Sequence, residues 1–169
     1  NTNAGGALLN VVLARAQRAC CAEIETLVSG PVPTQDLERA LFEMFASEWR
    51  RSGRSGLPRR IAIVDDAPAA QFMYPEFLLF AQLFRRFGVD AVVLAPEQLA
   101  FEAGVLRDAR GRVDRGYNRL TDFALEAPAH AALRDAYLAD GALITPHPRA
   151  HALYADKRNL GLLSDEAQL

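Results

Sequence analysis

The fold class is decided by the run IAIVDD at positions 61–66, in which four consecutive apolar residues are followed by two aspartates. A continuous apolar run of this length is typical of a parallel strand that is buried on both faces. Two similar runs follow, AVVL at 91–94 and ALI at 142–144, and segments with helical spacing separate the three. This alternation predicts an α/β fold, a Rossmann-like parallel sheet flanked by helices.

The remaining segments extend this prediction in both directions. Apolar residues recur with helical spacing over 7–28 and again over 34–49, which predicts an N-terminal helical segment. Helices are also expected over 72–87, 96–103 and 128–140, and a hairpin turn over 108–111. The basic, Gly/Ser-rich stretch at 50–60 predicts a flexible linker. The predicted units are an N-terminal helical segment over 1–57, a Rossmann-like domain over 58–154, and the start of a further region over 155–169.

Composition excludes several classes of function. A formal net charge of −2 gives no long-range attraction to nucleic acid or to an anionic membrane. The longest apolar stretches are too short for a membrane span, and no signal peptide is visible. The two cysteines, Cys20 and Cys21, are adjacent and cannot build a disulfide framework, which favours a reducing, cytoplasmic location. The chain begins without methionine, and we interpret it as a piece of a longer polypeptide.

Ligands of open parallel sheets bind beyond the carboxyl ends of the strands. This rule selects one edge of the predicted sheet as the candidate site. The residues that follow the predicted strands there are Asp65, Asp66, Ala95, Arg119, Thr121, Asp122, Thr145 and Pro146.

Two alternative chemistries fit the residues less well. The Asp65–Asp66 pair is typical of receiver domains, but the later apolar runs end at Ala95 and Thr145, so the acidic phosphoacceptor is missing. His147 and His151 have the spacing of a metal-binding pair on a helix, yet Pro148 intervenes and no other ligand motif lies nearby. His130 is remote from both in sequence.

Three segments, taken in order, resemble a known family. They are NTNAGGALL at 1–9, YNRLTDF at 117–123 and TPHPRAHALYADKRNL at 145–160. Together they are similar to the front part of ATP-grasp ligases, in particular the glutathionylspermidine synthase and glutathione synthetase-like branch. The resemblance implies that the Rossmann-like domain is a pre-ATP-grasp domain and that the region from residue 155 begins the ATP-grasp fold.

The resemblance also implies roles for residues near both ends of the chain. Lys157, the one lysine among nineteen basic residues, corresponds to the lysine that reaches the phosphates of ATP. Asn1 corresponds to an asparagine that helps to hold Mg²⁺. Gly5 and Gly6 correspond to substrate-binding positions. Where glutathione-utilising members have an Asp-Ser/Thr-Pro-Ser/Thr run, this chain has Asn3-Ala4-Gly5-Gly6, and the loss of the hydroxyl groups argues against glutathione itself as the substrate.

Two further residues are candidates for the substrate site. Arg119, at a predicted strand end, is suited to hold a substrate carboxylate through two parallel hydrogen bonds, and Asp122 lies three positions further along. A structural ion pair between Arg119 and Asp122 is an equally natural interpretation. No residue is identified as catalytic.

The sequence therefore predicts the N-terminal portion of an ATP-dependent carboxylate–amine ligase that acts through an acyl phosphate, with ATP and Mg²⁺ as cofactors and a small carboxylate and an amine as substrates. We expect this portion to be inactive by itself. The alternative is a non-catalytic α/β module for small-molecule binding or assembly. The sequence does not fix its oligomeric state, and a homodimer is one candidate.

Overall fold

The computed structural model describes residues 6–21, 23, 34–155 and 158–163. A four-stranded sheet lies at the centre, built from β1 (Arg60–Val64), β2 (Asp90–Leu94), β6 (Arg115–Asn118) and β7 (Leu143–Thr145). Its strand order is β2-β1-β6-β7, and every neighbouring pair is parallel. The predicted α/β class and Rossmann-like parallel sheet are confirmed.

The chain forms a small antiparallel sheet between β2 and β6 in sequence. It consists of β3 (Ala100–Glu102), β4 (Val105–Asp108) and β5 (Gly111–Arg112) in sequential order. The predicted hairpin turn is confirmed, because Asp108 pairs with Gly111 and its carboxylate accepts hydrogen bonds from the backbone N–H groups of Arg110 and Gly111. The helix predicted over 96–103 is wrong, since only a single 3₁₀ turn, Pro96–Gln98, precedes β3.

Three helices cover one face of the parallel sheet. They are α1 (Ala7–Cys20), α2 (Thr34–Arg51) and α3 (Tyr74–Arg86). Alternation along β1 turns Ile61 and Ile63 to this face, where they pack with a group of aromatic rings. The buried rings of this group are Phe42, Phe45, Phe77, Phe80, Phe84 and Tyr117.

The opposite face carries a second core. Ala62 and Val64 of β1 contact apolar residues of α4 (Ala131–Leu138), β4 and β7, including Leu106, Leu133 and Ile144. A 3₁₀ turn, Pro128–His130, opens α4, so the helix predicted over 128–140 is confirmed in its main part. Two short helices follow β7: α5 (Pro148–Tyr154) and α6 (Arg158–Leu163).

The N-terminal helix is shorter than its apolar pattern predicted. It ends at Cys20, since Cys21 is already extended, and residues 24–28 of the predicted helix lie outside the described part of the chain. The basic stretch at 50–60 completes α2 and then forms a loop tied to the rest of the structure. The indole Nε1 of Trp49 donates to the carbonyl of Ser55 at 3.1 Å, and Arg54 contacts the carboxylate of Asp140 at 2.5 Å.

Candidate site at the carboxyl edge of the parallel sheet

A pocket of about 530 Å³ opens at the carboxyl ends of β6 and β7, on the side covered by α1, α2 and α3. Its volume is within the range of small-molecule sites, roughly 300–1,000 Å³. Apolar side chains form most of the wall, and the charged residues in the lining are two arginines and one glutamate. The lining residues are Ala7, Leu41, Met44, Phe45, Ser47, Glu48, Arg51, Phe80, Tyr117, Arg119, Thr145 and Pro146.

Arg119 follows β6 and holds a defined position in the pocket wall. Its backbone N–H continues the sheet pairing by donating to the carbonyl of Val64 at 2.8 Å. The guanidinium carbon lies 5.7 Å from the ring centroid of Phe77 and 5.4 Å from that of Tyr117, and Nη1 donates to the Tyr117 hydroxyl at 3.2 Å. These cation–π contacts hold the guanidinium at the edge of a largely apolar cavity.

The Tyr117 phenol remains a neutral partner for Arg119. Burial raises the pKa of Tyr117, so its hydroxyl keeps its proton throughout the physiological range. The ring is 8% exposed and makes edge contacts with Phe45 and Phe80, both of which line the same pocket. Tyr117 therefore connects the aromatic core to the charged end of the pocket.

A second arginine, Arg115, is fully buried behind the pocket wall. Its Nε and Nη2 donate to the Thr145 hydroxyl at 3.1 and 2.6 Å, and its Nη1 donates to the carbonyl of Phe45 at 2.5 Å. Nη2 also pairs with the Glu48 carboxylate, which accepts a further hydrogen bond from the Thr145 hydroxyl at 2.7 Å. Burial lowers the pKa of Arg115 to about 10, with Glu48 opposing that shift, so the guanidinium stays charged at neutral pH.

This network fixes α2 against the end of β7. Glu48 and Phe45 belong to α2, whereas Thr145 is the last residue of β7 and is joined to Pro146 by a cis peptide bond. Movement of α2 away from the sheet would separate Glu48 from the buried Arg115, and a buried charge that loses its partner is costly. The Arg115–Glu48 pair therefore couples the helix to the edge of the sheet. One wall of the pocket is therefore held in place from behind.

The start of α1 reaches the same pocket. Gly6 precedes the helix with a φ of 84°, a left-handed conformation that glycine adopts without steric cost, and Ala7 lines the cavity. The carboxylate of the buried Glu76 accepts hydrogen bonds from the backbone N–H groups of Leu8 and Leu9 at 3.0 and 2.8 Å. Glu76 thus caps α1 from α3 and satisfies two donors that a helix start otherwise leaves open.

The predicted substrate residues separate into two groups. The pocket brings Arg119 together with the helix start that follows Gly6. Asp122 lies elsewhere: its Oδ2 is 2.7 Å from Nδ1 of His130 and accepts from the backbone N–H of Ala127 at 2.9 Å. Gly5, Asn1 and Lys157 lie outside the described residues, so their predicted substrate, magnesium and nucleotide contacts remain predictions.

His130 joins two loops at the edge of the sheet. In the sequence this residue is remote from His147 and His151 and belongs to none of the motifs discussed above. Its imidazole is 4% exposed and also places Nε2 at 3.1 Å from Oδ1 of Asp66, which follows β1. Burial disfavours the charged ring, but the hydrogen bonds with Asp122 and Asp66 outweigh burial and raise the pKa of His130. Contacts with the backbone and with His130 likewise overcome desolvation and lower the pKa of Asp122 to about 2.

The other two histidines pack against aromatic rings. His151 stacks on Phe123 with ring centroids 3.7 Å apart, and His147 makes an edge contact with Tyr137 at 5.0 Å. Within residues 6–21, 23, 34–155 and 158–163, no three His, Cys, Asp or Glu side chains are grouped in a way that could hold a metal ion. None of the helices described there is long and apolar enough to cross a bilayer.

Comparisons with known proteins identify no family for this chain, so its classification rests on the fold and the candidate site. No protein-family model matches the chain, and a search of curated proteins gives no significant match. The fold defines the chain as an α/β protein with a Rossmann-like parallel sheet, and the pocket beside Arg119 is its candidate binding site.

Proposed function

We propose that the chain is the substrate-binding portion of an ATP-dependent carboxylate–amine ligase, and that the pocket beside Arg119 holds the carboxylate substrate. The observation that carries the proposal is the position of Arg119, whose guanidinium lines a pocket of about 530 Å³ at the carboxyl edge of a parallel sheet. This is the edge at which open α/β sheets bind ligands. A guanidinium also offers two parallel N–H donors to a carboxylate.

The chemistry of such a ligase suits this arrangement. A substrate carboxylate oxygen attacks the γ-phosphorus of ATP, ADP leaves, and the resulting acyl phosphate is attacked by an amine that expels inorganic phosphate. Arg119 would orient the carboxylate before the reaction, and the aromatic wall would limit the access of water to the reacting carbon. The proposal assigns the phosphates of ATP to Lys157 and a Mg²⁺ ligand to Asn1, as the family resemblance implies.

We place this activity in the cytoplasm, where ATP is available and thiols stay reduced. Cys20 and Cys21 are both exposed and form no disulfide in the structure.

The test is ADP release by the chain within its natural polypeptide, with ATP, Mg²⁺, an amine and a panel of carboxylic acids. We expect acid-dependent ADP release, and we expect Arg119→Gln to raise the KM for the acid at least tenfold. Lys157→Ala should weaken ATP binding. The ligase proposal is wrong if ADP release by both variants does not depend on the acid and Lys157→Ala binds ATP as tightly as wild type.

A second candidate, a non-catalytic assembly module, is favoured by one different observation. Phe72, in the loop between β1 and α3, is 93% exposed, and Leu78 on α3 is 43% exposed. Contiguous exposed apolar surface marks association sites, and this candidate requires Phe72 and Leu78 to form such a patch. Analytical ultracentrifugation across a concentration series separates the candidates, because the module predicts a dimer that Phe72→Ser dissociates and that binds no nucleotide.

A further inference from the structure

Another cavity, of about 620 Å³, lies at the amino edge of the parallel sheet, where β1 and β6 begin. The end of the basic stretch supplies most of its wall, and the chain from β5 to the start of β6 supplies the rest. The described lining residues are Trp49, Gly53, Arg54, Ser55, Leu57, Arg59, Arg112 and Asp114. Three of these residues are arginines, whereas the candidate site beside Arg119 lies at the opposite edge.

The carboxylate of Asp114 brings two of the arginines to this cavity. Its Oδ2 accepts a hydrogen bond from the backbone N–H of Arg59 at 2.8 Å, and its Oδ1 accepts one from Nε of Arg112 at 2.8 Å. The Asp114 side chain is 10% exposed, but that of Arg112 is 60% exposed. This arrangement leaves Nη1 and Nη2 of Arg112 without a partner among the described residues, so they are available to a ligand.

The third arginine, Arg54, is held on the opposite side of the lining. Its guanidinium carbon lies 5.4 Å from the ring centroid of Trp49, and Nη2 contacts the carboxylate of Asp140 at 2.5 Å. Asp140 is 82% exposed, so solvent weakens its attraction for Arg54. Nε and Nη1 of Arg54 make no hydrogen bond to the part of the chain that the structure describes.

Positive charge therefore exceeds negative charge around the cavity. The exposed Arg59 guanidinium forms no ion pair with any described residue. The fully buried Arg115 lies close enough to Arg54 to be affected by it: burial is the main cause that lowers the pKa of Arg115, and repulsion by Arg54 adds to it. A bound anion would offset this accumulation of like charge.

We propose that this cavity binds a small molecule through a phosphate or polyphosphate group that Arg54, Arg59 and Arg112 hold together. A phosphoryl group has three acceptor oxygens and more than one charge, so it pairs with several guanidinium groups at once. A carboxylate is satisfied by a single guanidinium. The volume leaves room for an organic part beyond the phosphate. This site is separate from the ATP site that the proposed function assigns to Lys157.

Pyrophosphate and citrate are the matched probes, because both carry nearly the same negative charge at pH 7.5 and differ in their acceptor groups. Their affinities are measured for the whole chain by isothermal titration calorimetry without Mg²⁺. We expect pyrophosphate to bind at least tenfold more tightly than citrate or a polyglutamate peptide. Lys157→Ala should leave the pyrophosphate affinity unchanged.

Arg59→Gln is the decisive substitution, because it removes a charge without breaking any described side-chain contact. We expect pyrophosphate to bind at least tenfold more weakly to this variant, whose thermal midpoint without ligand should equal that of wild type. Arg149→Gln is the matched control, since Arg149 is also exposed but lies on α5, beyond the carboxyl end of β7.

Removal of the acid that competes for Arg54 should have the opposite effect. Asp140→Asn should tighten pyrophosphate binding at least twofold, because it frees Nη2 of Arg54 for the ligand. Asp135→Asn makes the same change of net charge at an exposed residue that pairs with Arg134, and it should leave the affinity unchanged.

Four results would overturn the proposal. Pyrophosphate fails to bind, or its binding is lost in Lys157→Ala, which would place it at the nucleotide site instead. Arg59→Gln and Arg149→Gln weaken binding equally, which would show that only net charge matters. Citrate or polyglutamate binds as tightly as pyrophosphate, in which case the cavity accepts carboxylates and the assignment to phosphate is wrong.

Discussion

The imidazole of His130 and the carboxylate of Asp122 form a direct contact of 2.7 Å at the carboxyl edge of the sheet, eight residues apart in the chain. The other ring nitrogen of His130 faces Asp66, so one buried ring joins the loop after β1 to the loop after β6. Both ring nitrogens act as donors when the imidazole is charged, and each then meets a carboxylate. The charged form of His130 is therefore the form that holds the two loops together.

This contact predicts a defined pH dependence of stability. The pKa of His130 is raised above its ordinary value of 6.5, so its contribution is complete below pH 6.5 and is lost as the pH rises through the folded-state pKa. The pKa of Asp122 is lowered from 3.8 to about 2, so its contribution is present above pH 3.8 and is lost as the pH falls towards 2. The free energy of unfolding measured in urea should thus gain most from this contact between about pH 4 and 6.5.

Substitution of Asp122 should reduce that dependence, and the remaining part comes from the contact of His130 with Asp66. We expect Asp122→Asn to cost about 1–3 kcal/mol at pH 5.5 and less at pH 8.5, because the charge-assisted hydrogen bond is lost only where His130 is charged. Asp135→Asn is the control, since Asp135 is exposed and pairs only with its neighbour Arg134 among the contacts described. An equal loss at both pH values would contradict a charged His130.

A second prediction concerns the cap that Glu76 provides for α1. Glu76→Gln leaves one amide oxygen for the two N–H groups of Leu8 and Leu9 and removes the negative charge at the helix start. We expect a loss of about 1–2 kcal/mol in the free energy of unfolding. Hydrogen exchange at the amides of Leu8 and Leu9 should also accelerate. Glu97→Gln, at an exposed position of a 3₁₀ turn, should change neither quantity.

The elements of the fold were largely predictable because they depend on local pattern. Four-residue apolar runs predicted β1 and β2, and Gly88 marked the end of α3, where its φ of 81° requires the left-handed conformation. β3 was missed because Pro96 and Glu97 favour a helix start. The local signal for this strand is the two-residue turn Ala103–Gly104, where both residues have positive φ and Glu102 pairs with Val105 in a β3–β4 hairpin.

The candidate site was predictable only in part. The rule that ligands bind at strand carboxyl ends selected Arg119, Thr145 and Pro146, all three of which line the pocket. The contributions of α2 were missed, since Glu48 meets Arg115 across 67 residues of sequence and no local spacing reports such a contact. His130 was missed for the same reason, because Asp66 lies 64 residues away.

A third prediction tests the buried arginine behind the pocket. Arg115→Met removes the donors that bind Glu48, Thr145 and the carbonyl of Phe45. The Thr145 hydroxyl still donates to Glu48, but the Glu48 carboxylate loses its cation and the carbonyl of Phe45 loses this donor. We expect a loss of about 3–5 kcal/mol in urea unfolding. The double variant Arg115→Met with Glu48→Leu should recover part of that loss, because the uncompensated carboxylate is removed. A double variant less stable than Arg115→Met would contradict this explanation.

A fourth prediction concerns Gly141, where the chain turns from α4 into β7. A Cβ atom at this position would lie 2.6 Å from the backbone oxygen of Gly104 and 2.6 Å from Cε2 of Phe101, closer than such atoms approach. Gly104 belongs to the turn between β3 and β4, so the small sheet cannot yield without moving its backbone. We expect Gly141→Ala to lower the free energy of unfolding by about 1–3 kcal/mol. Gly161→Ala, in α6, would place its Cβ more than 4 Å from every described atom outside its chain neighbours and its own helix backbone, and should be neutral or slightly stabilising. Equal effects of the two substitutions on the urea midpoint would show that the close approach at Gly141 does not constrain the fold.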